Sequence, residues 1–240
     1  MTRTVCVLAA AALLAACSAS ARTNSSLTVF AASSLTNAFP KIESGASYSF
    51  AGSNTLDAQI RQGAPADVFA SANMNLPGAL HRDELCSKPV VFTRNALVVI
   101  VPRSNPGKIR TVSDLRRHGV QIVIAAQGVP VGDYTLQVLK RLKLMRVLKN
   151  VVSRETDVRE VLAKVALGEA DAGFVYSTDA RTVPHKVRVI TIPARGQPNV
   201  RYGICVVHGT SNKTAAHAFV KRVLGTAGQR VLRRYGFLPR

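Results

Sequence analysis

The sequence predicts an α/β protein of two lobes, each a mostly parallel sheet flanked by helices. From residue 23 onward, short apolar and β-branched runs alternate with helical patterns, as in parallel strands joined by helices. Two of these runs lead directly into serine-containing segments that begin helices. The β-rich run over 90–101 is long enough to pass from one lobe to the other. Two such crossings are typical of proteins whose lobes close about a hinge.

The first sixteen residues predict a signal peptide that is not part of the fold. Arg3 supplies a positive n-region, residues 5–16 an apolar h-region, and Leu14-Ala-Ala-Cys17 a small-residue cleavage site. The same tetrapeptide resembles a bacterial lipobox, which predicts lipidation of Cys17 and a tether over 17–26. A plain secretory signal or a short core helix is the alternative. We therefore expect an exported protein, lipid-anchored to the outer face of the cell membrane.

The net charge of the chain restricts which binding partners are expected. The chain has 240 residues and a net charge of +19, which loss of Arg3 with the signal lowers to +18. Such a charge favours anionic partners, namely acidic lipids, acidic wall polymers or a small anion, and export argues against nucleic acid.

Cys86 and Cys205 remain in the mature chain. In an oxidising compartment they are either a disulfide or two buried free thiols, and the sequence leaves both open.

The first two strands each end in a hydroxyl-rich helix start. Residues 27–31 predict a strand followed by Ser33-Ser34, and residues 47–51 predict another, followed by Ser53 and a helix over 56–62. Such a junction directs backbone N–H groups and a hydroxyl toward the carboxyl end of the strand. That is where open α/β sheets bind ligands, and a helix N-terminus favours an anion.

The remaining elements continue the alternation. Strands are predicted within 63–71 and over 90–101, 121–126, 151–153, 172–176, 187–192 and 201–207. Helices are predicted over 74–80, 113–116, 133–149, 159–168, 213–224 and 227–235. We expect Thr156 or Ser153 to cap the helix over 159–168. With the strand over 201–207 as the return crossing, lobe one takes 27–93 and 206–240, and lobe two takes 94–205.

No catalytic constellation is visible. The chain lacks Gly-x-Ser-x-Gly, His-Glu-x-x-His, a P-loop and a spaced Cys/His set, and its five histidines are scattered. We therefore expect neither an enzyme nor a directly coordinated metal. The candidate functional groups are hydroxyls and helix starts, at Ser34, Ser53, Val131-Gly132, 156–158 and Tyr176.

Seven short motifs extend this pattern along nearly the whole mature chain. They are Ala31-Ala-Ser-Ser-Leu-Thr-Asn-Ala38, Phe50-Ala-Gly-Ser-Asn-Thr-Leu56, Gly63-Ala-Pro-Ala-Asp-Val-Phe69, Val129-Pro-Val-Gly132, Asp157-Val-Arg159, Val175-Tyr-Ser-Thr-Asp-Ala180 and Arg234-Tyr-Gly-Phe237. In this order they closely resemble the molybdate-binding proteins of ABC importers, which belong to the type II periplasmic-type solute-binding proteins. The resemblance implies a periplasmic-binding-protein-like fold with the ligand in the cleft between the lobes.

The resemblance also implies the ligand contacts. An oxyanion would be held by the hydroxyls of Ser34 and Ser53, the backbone N–H groups of Val131 and Val158, and the Tyr176 phenol. A deprotonated tetrahedral dianion offers only acceptors, so such a site must offer only donors. The resemblance further implies no cofactor, an ABC permease as partner and a monomeric receptor.

Two departures from the family pattern concern the ligand-binding segments. The segment over 35–51 is shorter than usual, and Pro40 would remove an interior hydrogen bond from a helix that starts at Ser34. We therefore expect a truncated first helix. Val131 and Asn54 replace smaller residues often found at those motif positions, which matters little at Val131 if only its N–H is used.

We therefore expect a receptor that captures molybdate, and tungstate as well, and delivers it to an ABC importer. One alternative is the same fold binding sulfate or another small oxyanion. A second is a basic surface protein that binds acidic wall polymers. A third, an exported hydrolase, lacks catalytic residues.

Overall fold

The computed structural model describes residues 26–240, and the predicted signal peptide and the lipidation site at Cys17 lie outside them. Within this part of the chain, ten strands form two five-stranded sheets. The first sheet contains β1 (Thr28–Ala32), β2 (Ser47–Ala51), β3 (Val68–Ser71), β4 (Val90–Asn95) and β10 (Val200–Val206). The second contains β5 (Leu97–Pro102), β6 (Ile122–Ala125), β7 (Val151–Glu155), β8 (Ala172–Tyr176) and β9 (Val187–Thr191).

The two sheets share one topology. Their strand orders are β2-β1-β3-β10-β4 and β7-β6-β8-β5-β9. In the first, β10 is antiparallel to both of its neighbours, and in the second β5 is antiparallel to both of its own. Four of five strands in each sheet therefore run in one direction, which confirms the prediction of two lobes with mostly parallel sheets.

Helices flank both sheets. They are α1 (Phe39–Ile42), α2 (Ser53–Arg61), α3 (Asn75–Arg82), α4 (Pro130–Arg141), α5 (Val158–Leu167), α6 (Ser177–Ala180), α7 (Lys213–Leu224) and α8 (Thr226–Arg234). Short 3-10 helices lie at Ser33–Leu35, Val112–Arg116, Met145–Asn150 and Ala194–Gly196. The core of lobe one is rich in rings: Phe39 packs against Phe92 and Phe219, and Tyr202 packs edge-on against Phe92 and Phe237. No helix of residues 26–240 is long and apolar enough to cross a membrane.

The crossings between the lobes differ from the prediction in position. The run over 90–101 is two strands, β4 and β5, which belong to different sheets and are separated by Ala96. All of β10 pairs within the first sheet, so the return crossing lies in the segment over 192–199 that precedes it. The predicted boundaries at 93/94 and 205/206 therefore cut β4 and β10, whose pairing assigns both strands to lobe one.

The predicted caps also differ. Ser33 and Ser34 lie inside a 3-10 turn, and Pro40 is the second residue of α1, where no intrahelical N–H bond is lost. The truncation of the first helix is therefore accommodated by a 3-10 turn and a separate short helix. Neither β1 nor β2 is followed by a side-chain cap. At α5 the cap is Asp157, rather than Thr156 or Ser153.

Cys86 and Cys205 are free and buried in the structure. They lie in one small apolar cluster beneath α2 and α3, together with Leu56, Phe69 and Leu80. Of the two alternatives left open by the sequence, the structure contains the pair of buried thiols.

Candidate functional site

The five predicted ligand-binding residues line one cavity between the lobes. Ser34 and Ser53 lie on the side of lobe one, and Val131, Val158 and Tyr176 on the side of lobe two. The space between these residues, counted together with the open solvent at its mouth, is about 200 Å³. Among its thirteen lining residues none is a Lys or Arg, and the single charged residue is Asp157. An anion in this cavity would therefore contact hydroxyls and backbone amides rather than cations.

Ser53 is oriented by a backbone amide. It is the first residue of α2 and is buried, and its Oγ accepts a hydrogen bond from the N–H of Ala72 at 3.0 Å. Ala72 follows β3 directly, so the carboxyl end of β3 supplies this donor. Because one lone pair of the oxygen is occupied by that N–H, the proton of Ser53 is available for an acceptor in the cavity.

Ser34 is oriented by a tyrosine from β10. Its Oγ lies 2.9 Å from the hydroxyl of Tyr202, and both groups are buried. Tyr202 also accepts a hydrogen bond from the side-chain amide of Asn95 at 3.3 Å. Neither Tyr202 nor Asn95 was among the predicted site residues. Ser34 and Tyr202 are 168 positions apart, and Asn95 and Tyr202 are 107 positions apart, so no local motif reveals either contact.

The first turns of two lobe-two helices supply backbone donors. Val131 is the second residue of α4 and Val158 the first residue of α5, where N–H groups have no acceptor within the helix. Asp157 caps α5 by accepting from the N–H groups of Arg159 and Glu160, which leaves the N–H of Val158 for the cavity. The positive ends of both helix dipoles favour an anion at this point.

The α4 start depends on Gly132. A Cβ at this position would lie 2.1 Å from the carbonyl oxygen of Ala126 and 2.6 Å from that of Ala125. Glycine therefore allows the first turn of α4 to pack directly on the end of β6. The placement of the Val131 N–H follows from this close approach.

The phenol of Tyr176 is an unpartnered donor. Tyr176 ends β8 with 1% of its surface exposed, and its hydroxyl has no hydrogen-bond partner among the described residues. Burial raises the pKa of this phenol well above its ordinary value, so it keeps its proton at neutral pH. A buried O–H without a partner is costly unless a ligand accepts from it.

Direct contacts hold the lobes together around the cavity. Gly52 of lobe one meets the backbone of Thr156 in lobe two, since an added Cβ would lie 2.4 Å from that carbonyl oxygen. Arg159 of α5 donates to the side chain of Asn37 in lobe one at 2.8 Å. The structure is therefore a closed arrangement of the two lobes.

Asp179 lies behind the lobe-two wall of the cavity. It is fully buried in α6, and its Oδ1 forms an ion pair with Nε of Arg159 at 2.9 Å. Burial raises the pKa of this carboxyl to about 6, and the charge of Arg159 opposes the shift. In residues 26–240, no group of three or more His, Cys, Asp or Glu side chains is arranged to hold a metal ion.

Comparison with known proteins gives the family. A family model described as a bacterial extracellular solute-binding protein matches residues 27–238. The chain belongs to this family. Bacterial extracellular solute-binding proteins are binding proteins rather than enzymes, which agrees with the lack of a catalytic constellation in the sequence.

Several individual proteins are similar to this chain in sequence or in fold. The chain is 39% identical to the molybdate-binding protein ModA of Mycobacterium tuberculosis, over 88% of this chain and 84% of that protein. It is 30% identical to the substrate-binding domain of a molybdenum ABC transporter from Clostridium difficile, described as putative, with a TM-score of 0.67 over 90% of this chain and 99% of that one. The sulfate-binding protein SubI of Mycobacterium tuberculosis has a TM-score of 0.79, over 89% of this chain and 86% of that one. At 18% identity it shows a shared fold alone.

Proposed function

We propose that this chain is the extracytoplasmic receptor for molybdate, and equally for tungstate, of an ABC importer. The observation that carries the proposal is the cavity between the lobes, which offers hydroxyl and amide donors and no cation among its lining residues. A relative of 39% identity that is named as a molybdate-binding protein supports the choice of ligand. Ser34, Ser53, Val131, Val158 and Tyr176 would bind the oxyanion, and the metal enters as that oxyanion rather than as a coordinated ion.

The cavity is suited to a dianion that carries no proton. Each oxygen of such an anion accepts hydrogen bonds, and hydrogen bonds to charged groups are about twice as strong as neutral ones. Helix dipoles from α4 and α5 add to the attraction without a counter-cation. No separate cofactor is needed, and we propose a monomeric receptor that passes the anion to its permease.

Titration calorimetry of the purified mature domain tests the proposal. Molybdate and tungstate should bind tightly with one site per chain, whereas phosphate should bind far more weakly. Tight binding of sulfate with weak binding of molybdate would instead assign the cavity to the sulfate alternative. Binding of acidic wall polymers without binding of any oxyanion would favour the basic surface protein.

Lipid anchoring at Cys17 is part of the same proposal. In a bacterial host the wild type should partition into membranes, and Cys17→Ala should appear in the soluble exported fraction. Both forms should bind molybdate equally, because Cys17 is not among the five proposed ligand contacts. Equal partitioning of the two forms would contradict lipidation at this cysteine.

A further inference from the structure

Asn95 is a buried side chain whose amide oxygen and nitrogen both form hydrogen bonds. It ends β4, immediately before the crossing at Ala96, and it is buried. Its Oδ1 accepts from the backbone N–H of Ala96 at 2.9 Å and from the hydroxyl of Ser177 at 3.1 Å. Because a backbone N–H only donates, this contact decides which end of the amide is the oxygen. The Nδ2 group must therefore face Thr178 and Tyr202.

The orientation of this amide sets the direction of a hydrogen-bond chain. Nδ2 donates to Thr178 Oγ1 at 2.9 Å and to the hydroxyl oxygen of Tyr202 at 3.3 Å. The hydrogen-bond partners of the Tyr202 hydroxyl among the described residues are Asn95 Nδ2, which only donates, and Ser34 Oγ, 2.9 Å away. We therefore infer that the buried Tyr202 proton points to Ser34 Oγ, the acceptor of this pair. Ser34 then accepts from Tyr202 and has its own proton left for the cavity.

We propose that Asn95 and Tyr202 are positioning residues that hold Ser34 as a donor, and that they thereby select oxyanions without a proton. The inference rests on the proposed function, because it assigns a task to the Ser34 contact. A protonated oxyanion such as monohydrogen phosphate needs an acceptor in the cavity. A Ser34 hydroxyl that accepts from Tyr202 and directs its own proton into the cavity presents a donor there rather than an acceptor.

The same amide also connects the two lobes. Asn95, Tyr202 and Ser34 belong to lobe one, whereas Ser177 and Thr178 begin α6 of lobe two, directly after Tyr176. The orientation of Ser34 is therefore coupled to contacts made at the crossing between the lobes.

Tyr202→Phe tests the chain without removing the ring. The ring contacts with Phe92, Tyr176 and Phe237 remain, and the donor to Ser34 is lost. Molybdate affinity should fall about tenfold, the effect of one hydrogen bond. Because Tyr202 acts through Ser34, the Ser34→Ala, Tyr202→Phe double variant should bind molybdate no more weakly than Ser34→Ala.

Tyr48→Phe is the matched control. The Tyr48 hydroxyl also donates within lobe one, to the carbonyl oxygens of Phe39 and Glu43, and Tyr48 does not line the cavity. Its removal should change the melting temperature and leave molybdate affinity unchanged. An equal loss of affinity in Tyr48→Phe and Tyr202→Phe would reduce the effect at Tyr202 to general destabilisation and overturn the inference.

Asn95→Asp reverses the chain at nearly constant shape. A carboxylate only accepts, so Tyr202 would donate to residue 95, and Ser34 would donate to Tyr202 and present a lone pair to the cavity. The added charge repels molybdate and monohydrogen phosphate alike, since both are dianions at pH 8. The ratio of their affinities therefore reports the hydrogen-bond direction alone, and the preference for molybdate should fall at least about tenfold.

The outcomes separate the inference from the proposed function. Wild-type protein that binds no oxyanion overturns both. Wild-type binding of molybdate, with Tyr202→Phe within twofold of it or with an unchanged ratio in Asn95→Asp, overturns the inference alone. If Tyr202→Phe fails to fold by its melting curve, the ratio in Asn95→Asp decides.

Discussion

At the scale of single residues, the site is defined by where hydroxyl protons point. Ser53 accepts from the N–H of Ala72, Ser34 lies against the hydroxyl of Tyr202, and Tyr176 has no partner among the described residues. Three hydroxyls with these surroundings can all donate to one acceptor in the cavity. A buried polar group that lacks an acceptor costs about 1–3 kcal/mol, so the ligand completes the hydrogen bonding of this region.

Removal of the two serine hydroxyls should weaken molybdate binding strongly. Each hydrogen bond to the charged ligand should contribute about 1.5–3 kcal/mol, so Ser34→Ala and Ser53→Ala should each lower affinity about ten- to a hundredfold. Calorimetric titration of both single variants and the double variant measures this. Ser87→Ala is a suitable control, because Ser87 Oγ accepts from the backbone N–H of Val206 and does not line the cavity. A double variant with wild-type affinity and an unchanged melting curve would disprove the site.

Asp179 should make stability depend on pH in a defined direction. Its pKa is about 6 in the folded protein and near 3.8 without the fold, because burial disfavours the carboxylate. Between these values the folded state binds a proton that the unfolded state does not, so the contribution of Asp179 to stability rises as pH falls through about 6. Relative to Asp179→Asn, the wild type should therefore gain melting temperature from pH 7 down to pH 4. A pH-independent difference between the two proteins would contradict the buried titration.

At the scale of elements, the start of α2 controls how closely the lobes approach. Gly52→Ala keeps an ordinary backbone conformation, since φ is −57° and ψ is 136°. Its Cβ would nevertheless lie 2.4 Å from the carbonyl oxygen of Thr156, so the lobes should close incompletely. Overpacking costs about 1–3 kcal/mol, which predicts an affinity for molybdate lower by about five- to a hundredfold. The measurement is calorimetry together with the melting curve, which should change little.

Gly45→Ala provides the comparison for this substitution. The nearest atom to its added Cβ is Glu43 Oε1 at 3.5 Å, an ordinary contact within lobe one. Its affinity for molybdate should equal that of the wild type. If Gly52→Ala and Gly45→Ala bind equally well, the approach of Gly52 to Thr156 does not limit binding.

The elements show how much the sequence can predict. Apolar periodicity located most strands and helices, and α7 begins and ends where predicted, because local hydrophobic pattern determines which face of an element is buried. The serines after β1 and β2 were expected to cap helices and to face a ligand. Ser34 and Ser53 do line the cavity, but their side chains contact Tyr202 and Ala72 rather than capping a helix. The roles of Tyr202 and Asn95 depend on the pairing of distant strands, so no local pattern contains them.

At the scale of the whole molecule, we expect discrimination among oxyanions by size. Sulfate, molybdate and tungstate are tetrahedral dianions of equal charge at neutral pH, and the five proposed contacts are all neutral. A cavity closed to the radius of molybdate would leave the smaller sulfate with stretched hydrogen bonds, which weaken beyond about 3.2 Å. Tungstate should displace bound molybdate near equivalence, and a large excess of sulfate should not. Equal competition by sulfate would contradict selection by size.

The site is divided between two sheets of the same strand order, so the affinity for oxyanions and the selectivity among them can change independently. Each lobe presents half a site, and an anion held by one half meets the other at an effective concentration that the connecting segments set. The observed association constant is therefore that of the closed form multiplied by the fraction of molecules that can close. Substitutions in the crossing segment over 192–199 that change only this fraction should scale the affinities for all oxyanions by one factor. Substitutions among the lining residues should instead change the ratios between oxyanions.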